Sequence, residues 1–364
     1  MKKVAEKPDF LKSAAVRDFT TFDAGRMSED EAFGKLVEIR YGDFNHAKCP
    51  HCGAIGHHYF RSNRRQWRCK DCDGYFSLTT GTPFEDHKLP FQKILFGMML
   101  YISSANGISA HRLARDMDVS VKTAHTFMGK IRESLYGIRC QEKLSGVVHI
   151  DGGHFGGRPR HGRVRRKSKE DIQAHVEAKI MGRKQRNKGR SKDNLRRLRN
   201  RRIVMTIREL FPDPGMGASK TITAICMAEN ESYALDLAKH FIEPGSTVMT
   251  DENPAYSQFS ELFEHKTVNH SEEFATIDGI NENQAESYFS RLRRYVLGVA
   301  HRIQPKYMAD IAAEMSWRED LRRNTQLEKL NSLFGAVFSN GRSKWWRGYW
   351  QGFNRPGELL WIVT

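Results

Sequence analysis

The stretch Gly146-Val147-Val148-His149-Ile150-Asp151-Gly152-Gly153 joins an apolar run to an acidic residue and two glycines. Its β-branched residues predict a strand, Gly146–Ile150, that ends at Asp151. The glycines leave room for a ligand beside the carboxylate. A second run, Ser246–Thr250, repeats the pattern and ends at Asp251. The two acids are therefore predicted to lie at the ends of two strands.

The surrounding region alternates between strand-like and helix-like patterns. Further strands are predicted over Ile203–Ile207 and Thr221–Met227, and helices over Ser232–Phe241, from about Asn283 to Leu297, and after Pro305. Such alternation is typical of a mixed α/β domain. We place this domain at residues 145–325.

A third acid, Glu286, lies on the predicted long helix, and 34 residues separate it from Asp251. Two strand-end carboxylates can bridge two Mg²⁺ or Mn²⁺ ions about 4 Å apart, with a third ligand from a helix. Asn283, one turn earlier, is a further metal ligand, and Glu282 is the alternative third acid. Together these residues predict metal-dependent phosphoryl transfer. Asp151 or Asp251 alone would more often be a turn residue or a helix cap.

The positive charge of the chain is large and unevenly distributed. The net charge is +16, and between residues 158 and 202 there are 19 Lys and Arg against four acids. Concentrated positive charge is typical of a surface that contacts nucleic acid, because phosphates release counterions on binding. We therefore expect DNA as a partner, although the stretch taken alone could also be a disordered basic arm.

No segment is predicted to enter a membrane. The longest apolar run, Leu95–Ile102, is much shorter than the roughly 18 residues that a bilayer requires. The first residues also lack the apolar segment of a signal peptide. We expect a cytoplasmic protein that associates with the nucleoid.

Four of the six cysteines form two CxxC pairs that 16 residues separate. The pairs are Cys49 with Cys52 and Cys69 with Cys72. Four thiolates at this spacing close a tetrahedral site for one structural zinc ion, which stabilises a module of about 35 residues that has too small a core of its own. We assign residues 46–89 to a zinc ribbon. Its strands are predicted around Tyr59–Arg61, Gln66–Arg68 and Tyr75–Leu78.

Residues 108–131 predict two helices joined by a tight turn, with Ser120 as the N-cap of the second helix. Lys122, His125 and Thr126 would then face outward and could enter the major groove of DNA. A helical pair of this kind is more often part of a core. The ribbon before it and the basic region after it favour a helix-turn-helix, which we place at residues 90–140.

The two ends of the chain carry less specific signals. Residues 1–45 are predicted to contain a short amphipathic helix that begins after Ser28. Residues 326–364 form an aromatic and basic tail that includes Trp346, Tyr349 and Trp350. Such a tail could stack on nucleic-acid bases. We prefer the alternative, in which it docks on the protein surface or on a second subunit.

The order of these parts resembles the bacterial insertion-sequence transposases of the ISXO type, in which a zinc ribbon precedes a ribonuclease H-like DDE domain. The likeness spans about residues 26–320. In the N-terminal half it depends on CPHC…WRCKDC (49–72), FSLTTGTPFEDHKLP (76–90) and ISAHRLARDMDVSVKTAHTFMGKIRESL (108–135). In the second half it depends on IDGGHFGGR (150–158), TDENPAYSQF (250–259), VNHS (268–271) and NQAESYFSRLRR (283–294).

The resemblance implies a role for each acidic residue. Asp151, Asp251 and Glu286 would be the first, second and third catalytic acids, and would bind two ions. Arg293 would take the place of a basic residue of the family and bind DNA. Some relatives have asparagine where the third acid is expected, so Asn283 stays open as a ligand.

The resemblance also implies a fold. Residues 145–325 would be ribonuclease H-like, and residues 158–202 would be an insertion after the first catalytic strand. Beside the active site, this insertion would clamp DNA. The basic residues that we assign to DNA binding there are Arg165, Arg166, Arg196 and Arg197. His154 stands where such proteins often have tyrosine, and no chemistry is assigned to it.

The expected fold class is therefore multidomain α/β: a zinc ribbon and a helix-turn-helix, followed by a ribonuclease H-like domain with a basic insertion. The expected protein is a DNA transposase that binds the inverted repeats of an insertion sequence. Water would first cleave the 3′ end of the element, and the freed 3′-hydroxyl would then attack target DNA. Because two element ends are handled together, we expect a dimer or a larger synaptic complex.

Two other classes of protein remain open at this point. A non-catalytic DNA-binding regulator, or a domesticated transposase, would bind DNA without cleaving it. A serine or tyrosine recombinase would need a covalent hydroxyl nucleophile. Tyr256 and Tyr288 are available for that role, but neither lies in the arginine-rich context that it requires.

Overall fold

The computed structural model describes residues 13–139, 142–156, 201–213, 216–268 and 283–363. Several residues with predicted roles lie outside these ranges, namely Glu282, Arg165, Arg166, Arg196 and Arg197. The side chain of Asn283 is also outside the described part. Within these ranges, no helix is both long and apolar enough to cross a bilayer.

The N-terminal part of the chain combines helices with the three ribbon strands. The elements are α1 (Thr21–Arg26), α2 (Glu29–Tyr41), β1 (Tyr59–Arg61), β2 (Gln66–Arg68), β3 (Tyr75–Ser77), α3 (Phe91–Ser103), α4 (Ala110–Asp116) and α5 (Val121–Gly137). The predicted ribbon strands are confirmed almost to the residue. The predicted start of α2 is confirmed as well, because Ser28 and Glu31 form a reciprocal cap there.

Trp67 on β2 connects the ribbon to the helices. Its side chain is fully buried, and its ring stacks on Phe76 of β3 with centroids 5.6 Å apart. It also contacts Phe33 of α2, with ring centroids 5.8 Å apart. A buried tryptophan is among the largest single contributions to an apolar core. The ribbon and the helices therefore share one core.

The second part of the chain is a five-stranded sheet flanked by helices. The elements are β4 (Val147–Gly156), β5 (Arg201–Leu210), β6 (Ala218–Cys226), α6 (Glu231–Phe241), β7 (Thr247–Asp251), β8 (Glu264–Val268), α7 (Asn283–Tyr295) and α8 (Met308–Asp320). The strand order is β6-β5-β4-β7-β8. β4, β5 and β6 pair antiparallel, and β4, β7 and β8 pair parallel. The predicted mixed α/β domain is confirmed.

The first predicted strand, Gly146–Ile150, is too short. β4 pairs with β5 from Val148 to Gly156, and Asp151 stands opposite Thr206 within that ladder. Ladder hydrogen bonds come from the backbone, so they continue beyond the apolar run that marks the strand in the sequence. The parallel pairing of β4 with β7, in contrast, stops at His149. Asp151 therefore follows the end of the parallel pairing and lies inside the strand.

Both faces of the sheet are covered. Val148 and Ile150 point into a core under α6, whereas Phe155 points into a core under α7 and α8. This division follows from the alternation of side chains along a strand. Helix α9 (Gln326–Ser339) then returns to the N-terminal core through Leu330, Leu333 and Phe334.

Glu314 of α8 joins the two parts of the molecule. Its carboxylate is fully buried and accepts hydrogen bonds from Arg132 of α5 at 2.7 Å and from Arg318 at 3.0 Å. Arg132 also donates to the hydroxyl of Tyr295 on α7 at 2.7 Å. Burial raises the pKa of Glu314, but the two arginines outweigh it, so the pKa lies below its ordinary value. A buried charge group of this kind couples α5, α7 and α8.

We expect Glu314→Ala to lower the free energy of unfolding by about 3–5 kcal/mol, because it leaves two guanidinium groups buried without their carboxylate. Urea unfolding followed by circular dichroism measures the change. Glu38→Ala is the control, since Glu38 forms an exposed pair with Lys35 and should cost less than about 1 kcal/mol. Equal losses in the two variants would show that the buried group does not stabilise the fold.

Candidate functional site

The four cysteines of the ribbon meet at one point. All four Sγ atoms lie within 4.8 Å of one another, with 3.8 Å between Cys49 and Cys72 and 3.6 Å between Cys52 and Cys69. Four thiolates bound to one zinc ion at about 2.3 Å are about 3.8 Å apart. The cluster therefore already has the dimensions of a structural zinc site.

The backbone turns around the cysteines stabilise this arrangement of the four sulfur atoms. The N–H of Gly53 donates to the carbonyl of Cys49 at 2.9 Å, in a turn where Gly53 has a φ of +79°. The backbone N–H of Cys72 lowers the pKa of Cys69 to about 6, whereas the pKa of Cys52 is raised to about 12, because the N–H of Ala54 that lowers it is outweighed by burial and the neighbouring thiols. The ring of His51 points away to the carbonyl of Tyr75 at 3.2 Å. The donor set is thus four sulfur atoms, as predicted.

Asp151 and Asp251 lie level with each other on neighbouring strands. The parallel pairing of β4 with β7 ends at His149 and Met249, and each aspartate follows two residues later. Paired strands are about 4.8 Å apart, so residues at matching positions just beyond the last pair leave the sheet at the same level. The Asp151 carboxylate accepts the N–H of Gly152 at 2.6 Å, and the Asp251 carboxylate accepts the N–H of Asn253 at 3.0 Å.

Helix α7 crosses the sheet beside Asp151. The carbonyl of Gln284 at its start accepts a hydrogen bond from Arg208 of β5. Phe289, one turn after Glu286, packs closely on Gly153. A Cβ added to Gly153 would stand 2.5 Å from the Phe289 ring. Glu286 lies between these two contacts, and its side chain is exposed. The helix therefore passes this part of β4 with Glu286 at its solvent-facing edge.

Glu229 is an acidic residue of this region that the sequence reasoning missed. Its carboxylate lies over Gly152, where a Cβ would stand 2.5 Å from the carboxyl carbon. One oxygen, Oε1, accepts hydrogen bonds from the Tyr256 hydroxyl at 3.0 Å and from Asn253 Nδ2 at 3.2 Å. Since Asn253 also binds the carboxylate of Asp251, Glu229 belongs to the same cluster.

Burial and the negative charges of Asp151 and Asp251 affect the pKa of Glu229. Burial raises the pKa of Glu229 to about 7, and the negative charges of Asp151 and Asp251 contribute to the rise. The sequence carried only a weak signal for Glu229, because it stands three residues after the end of β6, whereas Asp251 is the last residue of β7. A rule that looks for an acid directly at a strand end therefore misses Glu229.

The sequence predicts room for a ligand beside the two glycines after Asp151. In the structure, other side chains occupy that space. Gly152 faces the carboxylate of Glu229, and Gly153 faces the ring of Phe289. Successive residues of a strand point to opposite faces of the sheet. The glycine pair therefore admits a close neighbour on each face of β4 at the level of the acids.

The carboxylates suit a divalent cation in their chemistry. Oxygen donors are the ligands that Mg²⁺ and Mn²⁺ prefer, and neighbouring like charges are relieved by a cation. In the described part of the chain, only the cysteine cluster brings three or more potential ligand atoms within 4.8 Å of one another. Asp151, Asp251 and Glu229 stand wider apart than that, so they would have to turn towards an ion to bind it together.

The C-terminal tail covers the outward face of α5. The indole Nε1 of Trp350 donates to the carbonyl of Lys122 at 3.2 Å and to the Thr126 hydroxyl at 3.0 Å. The ring of His125 lies 5.1 Å from that of Trp346 and 5.7 Å from that of Trp350. The tail thus docks on the protein, which was the preferred interpretation. It occupies the face that was predicted to enter DNA.

The structure brings α4 and α5 together as a helical pair with a short turn. Ser120 caps α5 as predicted, since its hydroxyl accepts the N–H of Thr123 at 3.1 Å. On α7, Arg293 is exposed and lies 5.9 Å from the ring of Phe155, two turns from Glu286. It is therefore accessible to a phosphate near the acids.

The two tyrosines considered as nucleophiles are both buried. Tyr288 donates its hydroxyl to the carbonyl of Ala312 at 3.0 Å, and Tyr256 donates to Glu229 at 3.0 Å. Burial raises the pKa of each far above the physiological range. Neither hydroxyl is placed to attack a phosphodiester, which argues against a tyrosine recombinase.

Comparison with known proteins gives two matches to family models. Residues 143–320 match the ISXO2-like transposase domain, and residues 27–74 match the transposase zinc-ribbon domain. A protein in transposable element ISH50 of Halobacterium salinarum is 27% identical over 275 residues, which cover 74% of this chain and 84% of that protein. The resemblance stated from the sequence motifs is confirmed.

We expect one zinc ion per chain. A strong chelator should release it and raise amide hydrogen exchange across residues 46–82, since zinc binding supplies folding free energy to the ribbon. The double variant Cys52→Ser with Cys72→Ser should lose the ion, whereas Cys226→Ala, which alters a buried cysteine outside the cluster, should keep it. Full zinc content in the double variant would contradict the assignment.

Proposed function

Because the chain carries both domains of the ISXO2-like insertion-sequence transposases, we propose that it cleaves the 3′ ends of its element and joins them to target DNA. The observation that carries the proposal is the level placement of Asp151 and Asp251 on adjacent parallel strands. The mixed sheet, with Asp151 on its central strand, supports a ribonuclease H-like fold for the α/β part.

Asp151, Asp251 and Glu286 are proposed to hold two Mg²⁺ or Mn²⁺ ions, with Asn283 as a further ligand. Divalent ions bound there would supply activation of an attacking hydroxyl and stabilisation of the leaving oxygen. Arg293, on the exposed edge of α7, would hold a DNA phosphate beside the acids. The accessible edge of α7 and the register of β4 with β7 support this arrangement.

Two phosphoryl transfers follow from this site. In the first, water attacks the phosphodiester at the element end, and the bond to the element's 3′ oxygen breaks. In the second, that 3′-hydroxyl attacks a phosphodiester of the target strand and displaces the target's own 3′ oxygen. Both steps exchange one P–O bond for another, so no covalent protein–DNA intermediate and no further co-reactant is required.

We expect Asp251→Asn to reduce Mg²⁺-dependent 3′-end cleavage and strand transfer by about a thousandfold or more. The loss of one charged ligand removes several kcal/mol of transition-state stabilisation. The assay uses duplexes that contain the ends of the element, with cleavage sites mapped on a gel. Asp213→Asn, an exposed aspartate on another loop, is the control. Full activity in Asp251→Asn would refute the metal mechanism and leave a DNA-binding regulator.

The ribbon and the α4–α5 pair are proposed to bind the inverted repeats. Lys122, His125 and Thr126 on α5 would contact base edges in the major groove. Because Trp350 bonds to Lys122 and Thr126, this face is available only when the tail moves aside. The basic residues 158–202 would add phosphate contacts near the acids. Since two element ends are joined in one event, we further propose a dimer or larger assembly.

We expect Trp350→Ala to raise affinity for the inverted repeats about fivefold, because it removes the indole N–H shared by Lys122 and Thr126 and one cation–π contact with Lys122, all of which compete with DNA. Fluorescence anisotropy at fixed salt measures the affinity. Phe353→Ala, an exposed aromatic residue of the same tail, should leave it unchanged. A weaker affinity in Trp350→Ala would mean that the indole binds DNA.

A further inference from the structure

Glu229 is the acid of the cluster to which neither the sequence motifs nor the family resemblance assigns a role. It lies between β6 and α6, next to Asn230, which caps that helix. Its side chain is only 9% exposed. The match to the transposase domain covers it together with Asp151, Asp251 and Glu286.

The contacts of Glu229 connect the parts of β4 and β7 that carry the two aspartates. Its carboxylate lies directly on Gly152, the residue after Asp151. Through Asn253 it is connected to Asp251, since Asn253 Nδ2 donates to Glu229 and the N–H of Asn253 donates to Asp251. Asp151 within β4, Asp251 at the end of β7 and Glu229 in the turn after β6 are thus connected by these contacts.

The two oxygens of Glu229 have different surroundings. Oε1 accepts both hydrogen bonds, from Tyr256 and from Asn253. Oε2 lies 3.7 Å from His154 Nε2, which is too far for a hydrogen bond. Among the described residues, Oε1 is therefore held by two donors, whereas Oε2 has the imidazole of His154 nearby and accepts no hydrogen bond.

A purely structural role does not require the charge of Glu229. Glutamine would accept the same two hydrogen bonds through its amide oxygen, and it would avoid burying a carboxylate beside two other acids. Like charges in one site disfavour each other unless a cation is bound among them. A buried carboxylate with one uncommitted oxygen, next to Asp151 and Asp251, fits the ligand set of a divalent cation.

We propose that Glu229 is an additional ligand in the catalytic metal site, where Oε2 binds the cation that Asp151 and Asp251 hold. The site of this chain would then have four acids, one each from β4, β7, α7 and the turn after β6. This inference rests on the proposed function, because it assumes that the aspartates bind a divalent cation. The hydrogen bonds from Tyr256 and Asn253 would orient the carboxylate for that contact.

The test is Mn²⁺ binding to the full chain with its zinc retained, followed by electron paramagnetic resonance and calorimetry. Glu229→Gln should weaken Mn²⁺ binding at the catalytic site by roughly tenfold or more. The melting temperature should stay the same or rise, since the amide keeps both hydrogen bonds. Glu229→Asp should bind Mn²⁺ better than Glu229→Gln, because it retains a carboxylate. Glu261→Gln, an exposed glutamate of the same domain, is the control and should bind as the unaltered chain does.

Asp251→Asn in the same titration separates the two proposals. If Asp251→Asn loses Mn²⁺ binding and Glu229→Gln keeps it in full, Glu229 is not a ligand and the proposed function stands. If Asp251→Asn keeps full binding, the cation is not held at these strands and the catalytic proposal itself fails. Loss of binding in both variants, with folding intact in both, supports the four-acid site.

Discussion

The buried group formed by Glu314, Arg132 and Arg318 sets how the two halves of the molecule are arranged. Burying charges is costly, and the cost is offset only while the geometry is kept. Arg132 belongs to α5, Glu314 to α8, and the Tyr295 hydroxyl that Arg132 also binds belongs to α7. Any shift of α5 against α7 would separate these partners. The helix that bears Glu286 and Arg293 is therefore held in a fixed relation to the helix proposed to read DNA.

The strand pairing of the sheet is a second constraint, because it fixes the positions of the two aspartates. Asp151 and Asp251 are brought together by the register of a parallel pair, which the sequence of either strand alone cannot specify. Gly152 and Gly153 then allow close approach from opposite faces, by Glu229 on one side and by Phe289 on the other. A side chain at either glycine would push away a carboxylate or the helix α7. The glycine pair thus serves the packing of the acidic site.

The parts of the structure that the sequence predicted depend on local signals. Ligand spacing identified the ribbon, alternation identified most strands, and Ser28 and Ser120 marked helix starts that the structure confirms. The parts that it missed depend on contacts between distant residues. Trp350 meets Lys122 across 228 positions, and Glu229 meets Gly152 directly and Asp251 through Asn253 only after three strands have paired. The proposed catalytic set itself remains a prediction, since it requires side chains to turn towards an ion.

The C-terminal tail contacts both α5, the helix proposed to read DNA, and β6, the strand before Glu229. A buried ion pair in the middle of the tail divides the tail into two parts. Trp350 lies on α5, whereas the N–H of Trp361 binds the carbonyl of Ile225 on β6 at 2.8 Å. Between them, Arg355 forms a two-pronged, buried pair with Asp310 of α8, at 2.8 and 2.9 Å. Breaking such a pair is far more costly than lifting a half-exposed indole. DNA could therefore displace the first half of the tail from α5 while the second half stays on β6, and the acidic site would keep its support.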